Sequence, residues 1–161
     1  MSDPTPTADI AAFLHEGHAA MRAVVAGLPV STLDWRPGEE TNSIAALVVH
    51  ALDAERHLSA AVANLSLARD REAAFRAAGL GSDELMALID ATERDVDAHL
   101  GLITPDRLEA TIVRPNRTES GARWLIRAAA HSREHIGQAT LTRQLAEQRG
   151  VGVREGSLPG N

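Results

Sequence analysis

Two histidines four residues apart stand in the stretch Ala130-His131-Ser132-Arg133-Glu134-His135-Ile136-Gly137-Gln138. On an α-helix, residues at i and i+4 lie on one face a turn apart, so His131 and His135 can reach a single ion. His50, inside a separate apolar run much earlier in the chain, offers a third imidazole. Three histidines brought together in a helical bundle leave a divalent ion with an open position for water or substrate. The plainer alternative is a set of core histidines satisfied by hydrogen bonds.

The third histidine, on a different apolar face, shifts the balance toward the metal, and the surroundings of the pair bear on how it would be held. Gln138 falls on the same helical face, and Trp124, Ala128 and Leu145 lie on or near that stripe, which makes it apolar and inward-facing. An unpaired imidazole there is costly. Gly137 leaves room beside His135, and Arg127, one turn before the pair, can address an anionic substrate. His50 shares its face with Ala54 and His57. His15, His18 and His99 read as exposed or interfacial residues with no assigned role. His131 to His135 also spells H-x-x-E-H, the pattern of inverted zinc proteases, but that chemistry needs a further downstream carboxylate ligand, and helix end and tail are nearly all that follow. The commoner H-E-x-x-H is not met, because position 132 is serine.

Composition narrows the chemistry further. Cysteine is absent, so any metal is held by His, Asp or Glu. All 16 basic residues are arginine, which excludes a lysine nucleophile or Schiff base. The net charge of -6 is spread over interspersed acidic and basic residues and offers no footprint for nucleic acid or anionic lipid. No signal-like or membrane-spanning apolar run is visible, so a cytoplasmic protein acting on a small molecule is expected.

The elements that must position these residues are helices. At 161 residues the chain is long enough for one self-sufficient core, and its many Ala and Leu with few β-branched runs favour helix. Helix one is expected from Asp9 to Leu28, ended by Pro29, followed by a loop that drapes Trp35. Asn42 or Ser43 should cap a second helix running to about Arg69, some 39 Å long at 1.5 Å per residue. A short connection or helical fragment around Phe75 and Leu80 leads to a third helix, capped by Ser82 and ending near Gly101. Leu108 to Val113 reads as extended and is broken by Pro115-Asn116. Ser120 caps the last helix, which Gly150 ends. Residues 1–8 are expected to be a flexible lead-in, 9–150 a four-helix bundle, and 151–161 a flexible tail with nothing to pack against.

The blocks Thr41-Asn42-Ser43-Ile44-Ala45-Ala46-Leu47-Val48-Val49-His50 and His131-Ser132-Arg133-Glu134-His135-Ile136-Gly137-Gln138 resemble the DinB-like (YfiT-like) putative metalloenzyme superfamily. Its members carry an NSI…H helix and an H-x-x-x-H-x-G-Q helix in this order, and Leu33-Asp34-Trp35-Arg36-Pro37 is similar to the loop before their ligand helix. The likeness covers residues 10 to 148. It implies an all-α, up-down-down-up four-helix bundle, commonly a homodimer, with one divalent ion, Zn²⁺ or Ni²⁺, held by His50, His131 and His135. It also implies use of a low-molecular-weight thiol, since characterised branches are thiol-dependent transferases and isomerases; other members are stress-induced proteins.

On that footing the expected function is a metal-dependent thiol S-transferase or isomerase. A metal-dependent hydrolase and a non-catalytic metal-binding stress-response protein are the alternatives. Arg127 or Arg123 would bind a substrate carboxylate. Glu134, Glu55 or Asp53 would orient a ligand imidazole through its other nitrogen, with Gln138 and His57 beside the ligands.

Overall fold

The computed structural model describes residues 6–152. Four long helices form the body: α1 (Pro6–Val25), α3 (Ile44–Val62), α5 (Ser82–Gly101) and α7 (Gly121–Gln148). Between them lie the short helices α2 (Val30–Leu33), α4 (Arg71–Phe75) and α6 (Pro105–Glu109) and the strands β1 (Thr111–Arg114) and β2 (Arg117–Ser120).

The long helices pack in a ring, α1 against α5 and α7, α3 against α5 and α7. Side-chain pairs give their directions. Arg133 reaches Glu16 and Arg143 reaches the carbonyls of Ala23 and Val24, so α1 and α7 run parallel. His15 meets Asp97 while Arg22 meets Asp90, so α1 and α5 are antiparallel. Arg56 with Asp95 and Ser59 with His99 make α3 and α5 parallel. The order is therefore up-down-down-up, as the resemblance implied.

Local chemistry sets the ends. The Ser43 hydroxyl accepts from the Ala46 N–H at 3.2 Å and starts α3. That helix stops at Val62, seven residues before the expected end, giving about 29 Å rather than 39 Å. Asn64 adopts φ 64°, and the Leu65 N–H bonds back to the Ala60 carbonyl at 2.8 Å, an αL termination in which Asn replaces the more usual Gly. Ser82 does not cap α5. Gly81 occupies that position, its N–H donating to the Glu84 carboxylate at 2.7 Å, while the Ser82 hydroxyl accepts from the Gly27 N–H. Pro115 and Asn116 do not end the extended stretch but turn it, since β1 and β2 form an antiparallel hairpin with Thr111 opposite Ser120. The hairpin leads directly into α7, whose cap, Ser120, is the one expected. Gly121 is required there, because a Cβ would stand 2.1 Å from the Arg107 carbonyl oxygen.

At the chain ends, α1 already begins at Pro6, inside the expected lead-in; proline suits a first helical turn. Residues 1–5 and 153–161 lie outside the described residues. The start of the expected loose tail is held, with the Val151 carbonyl accepting from the Thr32 hydroxyl at 3.2 Å.

The apolar core divides in two. One cluster joins Met21, Leu47, Leu52, Ile89 and Ile136, and the other Leu14, Val62, Val96, Trp124 and Leu125. Each long helix carries polar residues between these clusters: His18 on α1, Glu55 on α3, Glu93 on α5, and His131 and His135 on α7. The bundle therefore has a titratable middle, and each group there must be satisfied or used. Among the described residues no helix is long and apolar enough to cross a membrane.

Candidate metal centre

His50, in the second turn of α3, faces His131 and His135 of α7. The Nε2 atoms of His50 and His131 are 3.0 Å apart, and one ring nitrogen from each of the three residues lies within 4.8 Å of the others. The rings meet edge-on, with centroids 5.0 Å apart from His50 to either partner and 4.4 Å between His131 and His135. Phe75 of α4 stacks on His50 at 3.9 Å and fixes its plane.

The protons can be placed by partner. His135 Nδ1 lies 2.8 Å from Gln138 Oε1, which accepts, so Nδ1 carries the hydrogen and Nε2 keeps its lone pair. That Nε2 is buried and has no partner, as is His50 Nδ1. Leaving such atoms unsatisfied costs roughly 1–3 kcal/mol each. A divalent ion held with His50 and His131 Nε2 would take up the free lone pair of His135 Nε2, so the donor set fits one; His50 Nδ1, the other nitrogen of a ring that faces the cluster through Nε2, is not an atom such an ion satisfies. The imidazoles are also in the state that ligation needs. Burial, then the neighbouring His135 and His131, push His50 down to about 3, and burial foremost lowers His131. Both are neutral at pH 7.

His50 and His131 form part of the wall of an open cavity of about 570 Å³. Arg69, Arg71, Arg114, Arg117 and Arg127 line it, with Glu134 as the one acidic side chain among the lining residues. The site thus has ligand atoms at one wall and guanidiniums around the rest.

The other expected site residues fall in different places. Arg127 lines the cavity but is held in a two-pronged pair by Glu119, at 2.6 Å for Nη2 to Oε1. Arg123 is 69% exposed, 4.0 Å from Glu119, and does not line the cavity. Glu134 does line it, and Gln138 orients His135 as described. Asp53 pairs with Arg69 at 2.6 Å and so reaches the site only through that guanidinium. His57 Nε2 accepts from Arg114 Nη2, and burial together with that cation lowers its pKa. None of Glu134, Asp53 and Glu55 hydrogen-bonds a cluster histidine.

Glu55 needs correction, as do two histidines given no role. Five residues past His50, Glu55 projects about 140° round the helix, and its Oε2 lies 2.5 Å from His18 Nε2. His18 is fully buried rather than exposed, and its Nδ1 meets Glu93 Oε2 at 3.0 Å. Burial pulls the His18 pKa down, but Glu55 and Glu93 outweigh it and hold the pKa above its ordinary value. His99 is buried too, with Nδ1 2.8 Å from the Ser59 hydroxyl. His15 is exposed, as expected, and pairs with Asp97.

Sequence reasoning missed Arg69, Arg71, Arg114 and Arg117, as well as Phe75. Strand alternation would have found one of them, since Ile112 and Arg114 share the inward face of β1. The rest meet only through the fold.

A helical bundle with three histidines converging beside an open cavity belongs to the class of histidine-clustered four-helix proteins. Residues 14–139 match the DinB superfamily, and the chain belongs to that family. Two solved structures share its fold. A DinB-like protein from Bacillus subtilis is 17% identical, with 94% of this chain and 96% of that one covered at a TM-score of 0.68. A conserved protein from Enterococcus faecalis is 16% identical, with 88% and 97% covered at a TM-score of 0.74. No curated protein matches the sequence.

Proposed function

We propose that the chain is a metal-dependent enzyme of the thiol S-transferase or isomerase type. The observation that carries this reading is the set of three converging imidazoles, with His50 and His131 neutral and His135 Nε2 buried and unpartnered, beside a cavity large enough for a small molecule. His50, His131 and His135 would hold Zn²⁺ or Ni²⁺. When bound, such an ion supplies the positive charge that favours thiolate over thiol near pH 7.

The remaining work falls to the chain's own residues. Gln138 keeps the proton of His135 on Nδ1, and Phe75 holds the His50 ring in its plane. Arg127, already oriented by Glu119, presents its guanidinium to an acidic group of the substrate or the thiol. Trp124 and Leu58 supply apolar wall that limits water. In this reading the protein works in the cytoplasm as a homodimer, with the exposed apolar Phe13 and Ile126 suited to the covered face.

Conjugation of mycothiol, bacillithiol or glutathione to monochlorobimane tests the transferase form. Metal-loaded protein should accelerate at least one of these reactions, and His131→Ala should abolish the effect. No acceleration with any of the three would sink it. Hydrolysis is the second reading, favoured by Glu134 as the acidic side chain on the cavity wall, where it can accept a proton from water. Turnover that survives complete removal of thiols and is lost in Glu134→Gln would support it.

A further inference from the structure

The arginines around the cavity are not all accounted for by the protein's own acids. Asp53 pairs with Arg69 at 2.6 Å, and Glu119 holds Arg127 while lying 3.6 Å from Arg117. Neither carboxylate is part of the cavity lining. Arg71 and Arg114 have no carboxylate partner among the described residues. Each lies instead over an aromatic ring, Arg71 at 5.5 Å from Phe75 and Arg114 at 5.7 Å from Trp124. A guanidinium held near a ring in this way has its orientation restricted while N–H groups remain for an acid.

Setting Asp53 and Glu119 against two of the five cations, and Glu134 against one more, leaves two positive charges facing the cavity. Arg114 carries further strain. Burial and the nearby Arg69 both act to lower its pKa, and its one side-chain hydrogen bond is to His57. The two guanidiniums without a carboxylate partner, Arg114 half-buried and Arg71 exposed at the cavity's edge, leave a positive field that an anionic ligand would complete.

We propose that this cavity binds a small molecule carrying two negative charges, with Arg71 and Arg114 as its principal contacts and the three-histidine cluster beside it. The inference deepens the enzymatic reading above and rests on it for the claim that the bound dianion is a substrate or cosubstrate. The acid groups are carboxylate or phosphoryl, since a guanidinium fork matches both. Arg69, Arg117 and Arg127 add a positive field but are already engaged by Asp53 and Glu119, so they contribute less per residue. The same geometry disfavours cationic and neutral ligands of equal size.

Isothermal titration calorimetry on the full-length protein as purified tests this, with succinate and phenyl phosphate as dianions and acetate as the monoanion. At least one dianion should bind roughly tenfold or more tightly than acetate. Arg114→Gln and Arg71→Gln should each weaken that binding by about tenfold, whereas Arg94→Gln, exposed on α5 away from the cavity, should leave it unchanged. Preference for succinate assigns carboxylates and preference for phenyl phosphate assigns a phosphoryl group. Circular dichroism of each variant confirms folding. The inference is overturned if neither dianion exceeds acetate, or if the preferred dianion binds both arginine variants as well as wild type.

Elemental analysis of the same samples separates the two readings. Metal retained with no dianion preference removes this inference and leaves the metal centre standing. Dianion binding through Arg71 and Arg114 in protein without metal removes the metal reading and leaves the anion site standing.

Discussion

On one side of α3, His50 meets His131 and His135, and among the described residues no carboxylate hydrogen-bonds any of the three. On another, Glu55 meets His18, which Glu93 holds from across the bundle while Arg22 gathers Glu93 and Asp90. Both are buried histidine centres in the polar layer between two apolar clusters, but they satisfy burial in opposite ways. His18 is stabilised as a cation by two carboxylates, and its ring nitrogens are both used. His50 is driven to the neutral form, and ring nitrogens of its cluster are left without partners. In the first arrangement both His18 nitrogens are partnered within the protein, which links α1, α3 and α5, and only Glu55 Oε1 is left without a partner. The second leaves buried ring nitrogens with no partner among the described residues, and its three imidazoles could hold a metal ion.

Removing one partner from each centre should break the symmetry most strongly. Glu55→Ala leaves His18 without its closest counter-charge and should cost about 3–5 kcal/mol in urea unfolding. In metal-free protein, His135→Ala should cost about 1 kcal/mol or less, because the imidazole it removes has an unsatisfied nitrogen. Equal losses in the two variants would contradict the contrast.

Metal affinity should separate the centres next. Gln138→Leu frees the His135 ring and should weaken zinc binding about 10–100-fold in a competition titration, while urea stability of the metal-free protein changes little. Glu55→Gln, acting on the other centre, should leave zinc affinity unchanged.

The pH dependence has a definite sign. His18 has a folded pKa raised above its unfolded value near 6.5. Its contribution is fully present below pH 6.5 and is lost as pH rises through the folded pKa. Unfolding free energy should therefore decline as pH rises above 6.5, and His18→Gln should flatten that part of the profile. An unchanged slope in the variant would assign the effect elsewhere.

The smallest effect sharpens what burial contributes. His15 and Asp97 form a histidine–carboxylate pair at 2.7 Å, three residues before His18, but with side chains 44% and 46% exposed. Asp97→Asn should alter stability by less than about 0.5 kcal/mol, since exposed pairs are screened and hydrated.

The sequence revealed one of these centres and hid the other, for a physical reason. His131 and His135 are related by helical spacing, and His50 lies in an apolar run, so their convergence follows from periodicity once a bundle is assumed. His18, Glu55 and Glu93 stand on three different helices, and nothing in their local spacing distinguishes a buried ion network from solvated surface. Local spacing therefore does not distinguish Glu55 as a partner of His18 from Glu55 as a partner of a cluster imidazole. Helix starts with hydroxyl caps, Ser43 and Ser120, were legible. The end of α3 was not, because Asn64 terminates it through backbone geometry that a run of Ala and Leu conceals. The arginine lining was hidden in the same way, brought together from the segment after α3, α4, the hairpin and α7.

The central claim is that His50, His131 and His135 form a metal centre, and metal content tests it most directly. Inductively coupled plasma mass spectrometry on protein purified without an affinity tag should find close to one divalent ion per chain. The ion should be retained in Asp97→Asn and absent from His131→Ala and His135→Ala. Wild-type protein without stoichiometric metal, or histidine variants that keep it, would contradict the account.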